Sequence, residues 1–179
     1  MNSLKDISFP TEMDLLIAFA DLTNFSKISS KRTAPELFAY ITEIYEMTGD
    51  AVEKAGGVVI KFIGDEALCV FPASHADDGI IALLKLKEDI DSLNKNRGLD
   101  SQLKVKCHFG SAVIGLTGCR SDKRLDIIGN EVNTCAVLKS NGFAMSAEAF
   151  RKMSPGTRSL FKKHTPPVTY IPLKERHKE

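Results

Sequence analysis

The segment that decides the fold is GGVVIKFIGDEALCVFP, Gly56 to Pro72. Its two apolar stretches, VVIKFI and EALCVF, are joined around Gly64 and Asp65, a spacing that reads as a two-residue hairpin turn. Lys61 lies in the first stretch and an acid stands at the tip. Either the tip is acidic because aspartate suits turns, or it is a place where a cation and a substrate meet.

Upstream, MDLLIAFADL, Met13 to Leu22, is a nearly continuous apolar run ending in an acid, the pattern of a strand buried on both faces. Asp21 then stands at the strand's C-terminal end. TNFSKISS is polar and long enough for a helical turn or two. Next, Thr33 and Glu36 have capping-box spacing, with Pro35 in the first turn. Leu37, Tyr40, Ile41, Ile44, Ala51, Val52 and Ala55 keep helical spacing until Gly56 and Gly57 stop it. Downstream of the hairpin, a second helix is expected from about Ser74 to Arg97, ended by Gly98. LKVKCHFGSAVIG alternates as a strand should, and RLDIIGNEVNTCAVL reads as strand, glycine turn and short helix. A helix near Ser146 to Met153 and a strand near PVTYIPL complete the pattern.

The order β, α, β-hairpin, α, β, β, α predicts an α+β fold, a ferredoxin-like sandwich with a mainly antiparallel sheet and helices packed on one face. One domain is expected over residues 1–179, with its core at about 13–140 and a C-terminal extension at 141–179. The chain carries 24 Lys and Arg against 23 Asp and Glu, so it has no global field to draw in nucleic acid or a membrane surface. Its four cysteines, Cys69, Cys107, Cys119 and Cys135, show no C-x-x-C spacing, which fits free thiols in a reducing compartment. No leader-like apolar region opens the sequence, and no apolar run is long enough for a membrane span, so a soluble, cytoplasmic protein is expected.

If the strands bearing Asp21 and Asp65 are neighbours, two carboxylates face one spot. Paired carboxylates suit Mg²⁺ or Mn²⁺, and two such ions about 4 Å apart can activate an attacking oxygen while steadying a leaving one. The backbone N–H groups of Thr23, Asn24 and Phe25 would point at phosphates from a helix start. Each residue also has a plainer use. Asp21 could cap the helix after it, and Asp65 could be an ordinary turn residue. Lys61 could be solvated on an edge strand, Asp126 could lie on the polar side of its strand, and Asn133 could be a helix-terminal hydrogen bonder. His108 reads as a core histidine, because no second His or Cys lies at ligand spacing.

Taken together, four segments resemble the catalytic domain of class III adenylyl and guanylyl cyclases. IAFADLTNFSKIS is similar to the family's apolar strand, metal aspartate and GFT-like turn, with Asn24 where glycine is usual. GGVVIKFIGDEALCVFP, CHFGSAVIGLTG and RLDIIGNEVNTCAVL resemble its next three motifs, in family order. The resemblance implies Asp21, Asp65 and the Leu22 carbonyl as ligands of two Mg²⁺ or Mn²⁺ ions, Lys61 and Asp126 as readers of adenine, and Asn133 as the residue that positions the ribose. It implies ATP as substrate, two-metal-ion conversion to 3′,5′-cyclic AMP and pyrophosphate, and a homodimer whose sites are shared across the interface. A regulatory partner protein would be compatible with it.

The chain departs from the family at Val137, where an arginine normally stabilises the transferring phosphoryl group, and the later lysine-glycine phosphate motif has no counterpart. Losing one such donor commonly lowers rate ~10²- to 10³-fold. Lys139, Arg120 and Arg124 are the candidates to reach the phosphates in its place. The alternative is therefore a cyclase-like module that dimerises and binds nucleotide with weak or no turnover. GDEA is also similar to the acidic hairpin of diguanylate-cyclase-type domains, but Lys61 and the Asp126 to Asn133 segment argue against that reading.

Overall fold

The computed structural model describes residues 10–175. Its central strand is β1 (Thr11–Leu22), in which every residue from Leu15 to Ala20 is at most 7% exposed. Apolar side chains on both parities of a strand require cover on both faces, and the chain supplies it. β1 is flanked on one side by the hairpin β2 (Val58–Ile63) and β3 (Glu66–Pro72), and on the other by the long strand β4 (Leu103–Cys119). β5 (Asp122–Ile128) folds back on the outer half of β4. β6 (Phe143–Met145), β7 (Phe161–His164) and β8 (Thr169–Pro172) extend the sheet, giving the order β2-β3-β1-β4-β6-β8-β7. Among the described strands only β4 and β6 run parallel, so the sheet is mainly antiparallel.

Between β1 and the hairpin come the short α1 (Phe25–Ser29) and the long α2 (Ala34–Lys54), whose N-terminus forms the expected capping box between Thr33 and Glu36. α3 (Ala76–Asn96) follows β3 after a single 3₁₀ turn. Tyr40, Ile44 and Val52 of α2 and Ile80, Leu83 and Ile90 of α3 pack on Leu16, Ala18, Cys69, Phe71, Val105 and Cys107 of the sheet. Burying such side chains contributes roughly 1.5 to 3 kcal/mol each. The Tyr40 hydroxyl donates to Asn94 Oδ1 at 2.9 Å, tying the two helices together inside this layer.

α4 (Asn130–Val137) lies on the opposite face. Its Cys135 is buried with Leu15, Ile17, Phe19, Leu68, Val70, Ala112 and Ile114. The expectation of helices on one face therefore describes α2 and α3, while α4 covers part of the other. The reason is in β1: Leu15, Ile17 and Phe19 need cover as much as Leu16 and Ala18 do. The C-terminal segment adds α5 (Ala147–Lys152) and α6 (Pro155–Arg158) and joins the same sheet through β6 and β8. β6, β7 and α6, of three or four residues each, are absent from the pattern read in sequence, whereas β8, equally short, lies within the strand expected at PVTYIPL.

Gly79 shows how tightly α3 meets the sheet: a Cβ there would lie 2.7 Å from the Phe71 ring. Replacing a helical glycine by alanine ordinarily stabilises by about 1 kcal/mol. Here overpacking reverses the sign, and Gly79→Ala should destabilise by about 1 to 3 kcal/mol, read as a lowered Tm in thermal denaturation.

Candidate active site

Asp21 ends the buried run of β1 and is paired with Glu66 on β3 and Lys104 on β4. Cross-strand partners share a face, so an acid and a cation flank Asp21 there. Lys104 Nζ lies 2.8 Å from Asp21 Oδ2. Asp65, in the turn after β2, stands close enough to Asp21 to feel its charge, and its carboxyl is pushed up to about 6 from 3.8, first by burial and then by that charge. Glu66 is also raised, by burial and then by Asp21, with Lys106 and Lys104 opposing the rise. The two acids expected to meet do meet, and Asp21 is not a cap, since Asn24 holds the N-cap position of α1.

The hairpin tip is held from α2. The Tyr45 ring stacks on Phe62 with centroids 3.7 Å apart and 13° between planes, while its hydroxyl donates to the Gly64 carbonyl. Gly64 adopts φ 63°, which favours glycine and lets the turn close tightly. Burial and the Asp65 charge raise the Tyr45 phenol, keeping it a donor.

Lys61 and Asp126 form a second cluster. Lys61 Nζ lies 2.7 Å from Asp126 Oδ2, and Asp126 Oδ1 accepts the Ile127 N–H at 2.8 Å. A break in the β2–β3 register brings this about. Val59 opposes Cys69 but Lys61 opposes Leu68, so β2 carries an extra residue at Ile60. Strict alternation would put Lys61 on the helix-covered face; the bulge turns it toward β5. Asp126 pairs with Gly115 of β4, whereas Asp21 pairs with Lys104 near that strand's start, so the two clusters occupy different ends of the β4 ladder.

The loop after β1 is only partly as expected. The Thr23 N–H donates to the Gln102 carbonyl at 2.9 Å, and Thr23 Oγ1 accepts the Gln102 N–H at 2.9 Å. Thr23 therefore continues the β1–β4 ladder, and its amide is withdrawn as a phosphate donor. Asn24, at φ 58°, turns the chain into α1, and its side chain donates to the Asp100 carbonyl at 3.0 Å. Among the described residues no acceptor takes the Asn24 or Phe25 N–H. Because residues 23 and 102 form a hydrogen-bonded pair, ladder alternation turns the Leu22 carbonyl away from β4, toward the side of β3. The Leu103 N–H is taken by Asp91 Oδ1 at 2.7 Å instead.

Asn133 is exposed on α4, and Val137 is 78% exposed at its end. His108 is a core histidine as expected, 2% exposed. Lys104, Glu66 and Tyr45 have no place in the sequence reading. Lys104 and Glu66 could be found only through the strand register; Tyr45 lies at an ordinary position of an amphipathic helix.

The donor set suits a hard divalent cation: two carboxylates forced together, a third acid beside them and a nearby backbone carbonyl. Among the described residues no cluster of three or more His, Cys, Asp or Glu side chains could hold an ion alone. Phosphate oxygens and water would complete any coordination shell. Among the described residues no helix is long and apolar enough to cross a membrane.

A model of the adenylate and guanylate cyclase catalytic domain matches residues 9–162. The chain belongs to this family. It is 24% identical over 130 residues to an adenylate cyclase of Anabaena cylindrica, covering 68% of this chain and 26% of that one. It is 30% identical over 150 residues to a receptor-type guanylate cyclase of Caenorhabditis elegans, covering 76% of this chain and 13% of that one. The chain thus spans about a quarter or less of these relatives. The fold matches that of the adenylyl cyclase CyaB from P. aeruginosa, with a TM-score of 0.81 at 16% identity over 94% of this chain and 98% of that one.

The raised Asp65 has a consequence for stability. Between 3.8 and about 6 the folded state holds the proton more tightly than the unfolded state does, so stability falls as pH rises through that window. In protein free of divalent cations, Asp65→Asn should raise Tm above about pH 6 and lose that advantage near pH 4, measured by thermal denaturation against pH.

Proposed function

We propose that this domain is a nucleotide cyclase that converts ATP to 3′,5′-cyclic AMP and pyrophosphate, acting as a homodimer. The observation that carries the choice of ATP is the Lys61–Asp126 pair at 2.7 Å. A lysine donates to N1 of adenine and a carboxylate accepts from the 6-amino group, whereas guanine presents the reverse pattern at both positions. With no base between them the two side chains satisfy each other; a purine entering the pair takes over both bonds.

Asp21 and Asp65, with the Leu22 carbonyl, would hold Mg²⁺ or Mn²⁺, which supply Lewis acidity toward the ribose 3′-hydroxyl and counter-charge for the triphosphate. Asn133 orients the ribose, and Asn24 and Phe25 offer backbone N–H groups to phosphate. The 3′-oxygen attacks the α-phosphorus in line: the O3′–P bond forms, the bond to pyrophosphate breaks, and the hydroxyl proton leaves to solvent. Lys104 is a further cation for the phosphates once the acids no longer need it.

Two features support a site shared between copies. The acid cluster and the base-reading pair lie at different ends of the β4 ladder. Ile63, Ile128 and Val137 are 52%, 64% and 78% exposed, apolar surface close in sequence to Asp65, Asp126 and Asn133, and Leu116, 56% exposed, pairs with Leu125 beside Asp126. The second reading, a nucleotide-binding module with little turnover, is favoured by Val137, which presents no cation at the position where the family carries one.

Purified protein should form cyclic AMP from ATP with Mn²⁺ or Mg²⁺ and less cyclic GMP from GTP. Asp65→Ala should lower the rate at least ~10²-fold, a typical loss for an electrostatic group acting on the transition state. Lys61→Glu with Asp126→Cys should shift preference toward GTP, and Val137→Arg should raise turnover. ATP binding without cyclic AMP above the Asp65→Ala background would leave the module reading in place.

A further inference from the structure

Asn133 makes no side-chain hydrogen bond to the described residues, so its placement is that of the helix that carries it. That helix, α4, has eight residues and no side-chain cap at Gly129. A helix so short is not stable by itself and depends on what it packs against.

Alternate residues of β4 supply the seat. Lys106 Nζ donates to the Ala136 carbonyl at 2.6 Å, holding the last turn. The Cys135 thiol points to the Ile17 carbonyl at 3.3 Å. At the first turn, His108 Nε2 lies 2.5 Å from Glu131 Oε2. Gly110, next on the same side of the strand, leaves the space: a Cβ there would come within 2.6 Å of Glu131 Cγ. The other ring nitrogen, His108 Nδ1, is 2.8 Å from Ser146 Oγ, which also accepts the Ala149 N–H as the cap of α5. Glu148 Oε2 stands 3.9 Å from Nδ1. The neutral tautomer that satisfies both partners carries its hydrogen on Nε2 and accepts the Ser146 hydroxyl at Nδ1. A buried ring held at both nitrogens cannot turn, so it fixes whatever Nε2 holds.

Glu131 and Asn133 are two positions apart on the helix and so point to nearly opposite sides, one into the sheet and the other to solvent. We propose that Glu131 is a positioning residue: its bond to His108 seats the first turn of α4 on β4 and thereby sets where Asn133 presents its amide to the ribose. The proposal rests on the cyclase reading above for its kinetic consequence, but not for its structural one.

The experiment compares wild type, Glu131→Ala, Glu131→Gln, Asn133→Ala and the double variant Glu131→Ala/Asn133→Ala. Each is assayed for cyclic AMP formation from ATP with Mn²⁺, and by hydrogen exchange of residues 129–138. Glu131→Ala should lower kcat on the order of tenfold or more with KM for ATP changed less than about twofold, because small misplacement of an orienting group acts on the reacting geometry. Glu131→Gln keeps an acceptor oxygen and should stay within about threefold of wild type. In the Asn133→Ala background, Glu131→Ala should add less than about twofold, since residues acting through one another are not additive. Amides of α4 should exchange about tenfold faster in Glu131→Ala and at the wild-type rate in Glu131→Gln.

Unchanged kcat in Glu131→Ala, full additivity with Asn133→Ala, or a Gln variant as impaired as the Ala variant would overturn the proposal. Should wild type form no cyclic nucleotide from ATP or GTP, the cyclase reading fails and hydrogen exchange decides alone. Unchanged exchange in Glu131→Ala then refutes the seat, and faster exchange rescued by Gln upholds it.

Discussion

Everything in this domain depends on a strand buried on both faces that ends in a carboxylate. A strand with one apolar face is held in register by alternation, but Leu15 to Ala20 of β1 are apolar on both parities, so alternation alone does not fix them. The ends do. Sliding Asp21 inward would bury an ion without a partner, which is far more unfavourable than any gain from shifting the apolar run. The same acid that registers the sheet therefore stands at the C-terminal end of its central strand, opposite Glu66 and Lys104.

That end of the sheet is electrostatically strained as it stands. Asp65 is pushed up to about 6 because burial and Asp21 both disfavour its charge, and Glu66 is raised for the same reasons. A protein selected only for stability would not keep three acids there. Tyr45, stacked on Phe62 and bonded to the Gly64 carbonyl, holds the tip in place against this repulsion. Local conflict maintained by surrounding packing is the expected signature of a functional position.

Long periodic elements were legible from sequence because they bury one face or both. β1, α2, the β2–β3 hairpin, α3 and β4 all lie where their patterns place them. The meeting of Asp21 with Asp65 was legible too, given that a hairpin tip and a strand end can be neighbours. What could not be read was register. The extra residue at Ile60 turns Lys61 toward Asp126, and nothing in VVIKFI marks it. Lys104 gains its meaning only from being opposite Asp21, and Thr23 loses its expected role only because Gln102 is opposite it. The helix on the second face follows from β1 being apolar on both parities, a feature visible in the sequence but outweighed by the two long helices.

β4 ties these parts together. Successive residues on one side of it meet the acid cluster through Lys104, the last turn of α4 through Lys106 and its first turn through His108. This arrangement bears on Val137. The ammonium bonded to α4's last turn belongs to Lys106, and it is committed to the Ala136 carbonyl, where a cation also suits the negative end of the helix dipole. Moving it toward a phosphate would release the helix that carries Asn133. Lys104 is bound differently, to a carboxylate rather than to the framework. On the cyclase reading, Asp21 would hold a divalent cation in place of Lys104, and Lys104 would then be available to the triphosphate. Of the two cations on this side of β4, Lys104 is the one that can change partner without unseating α4.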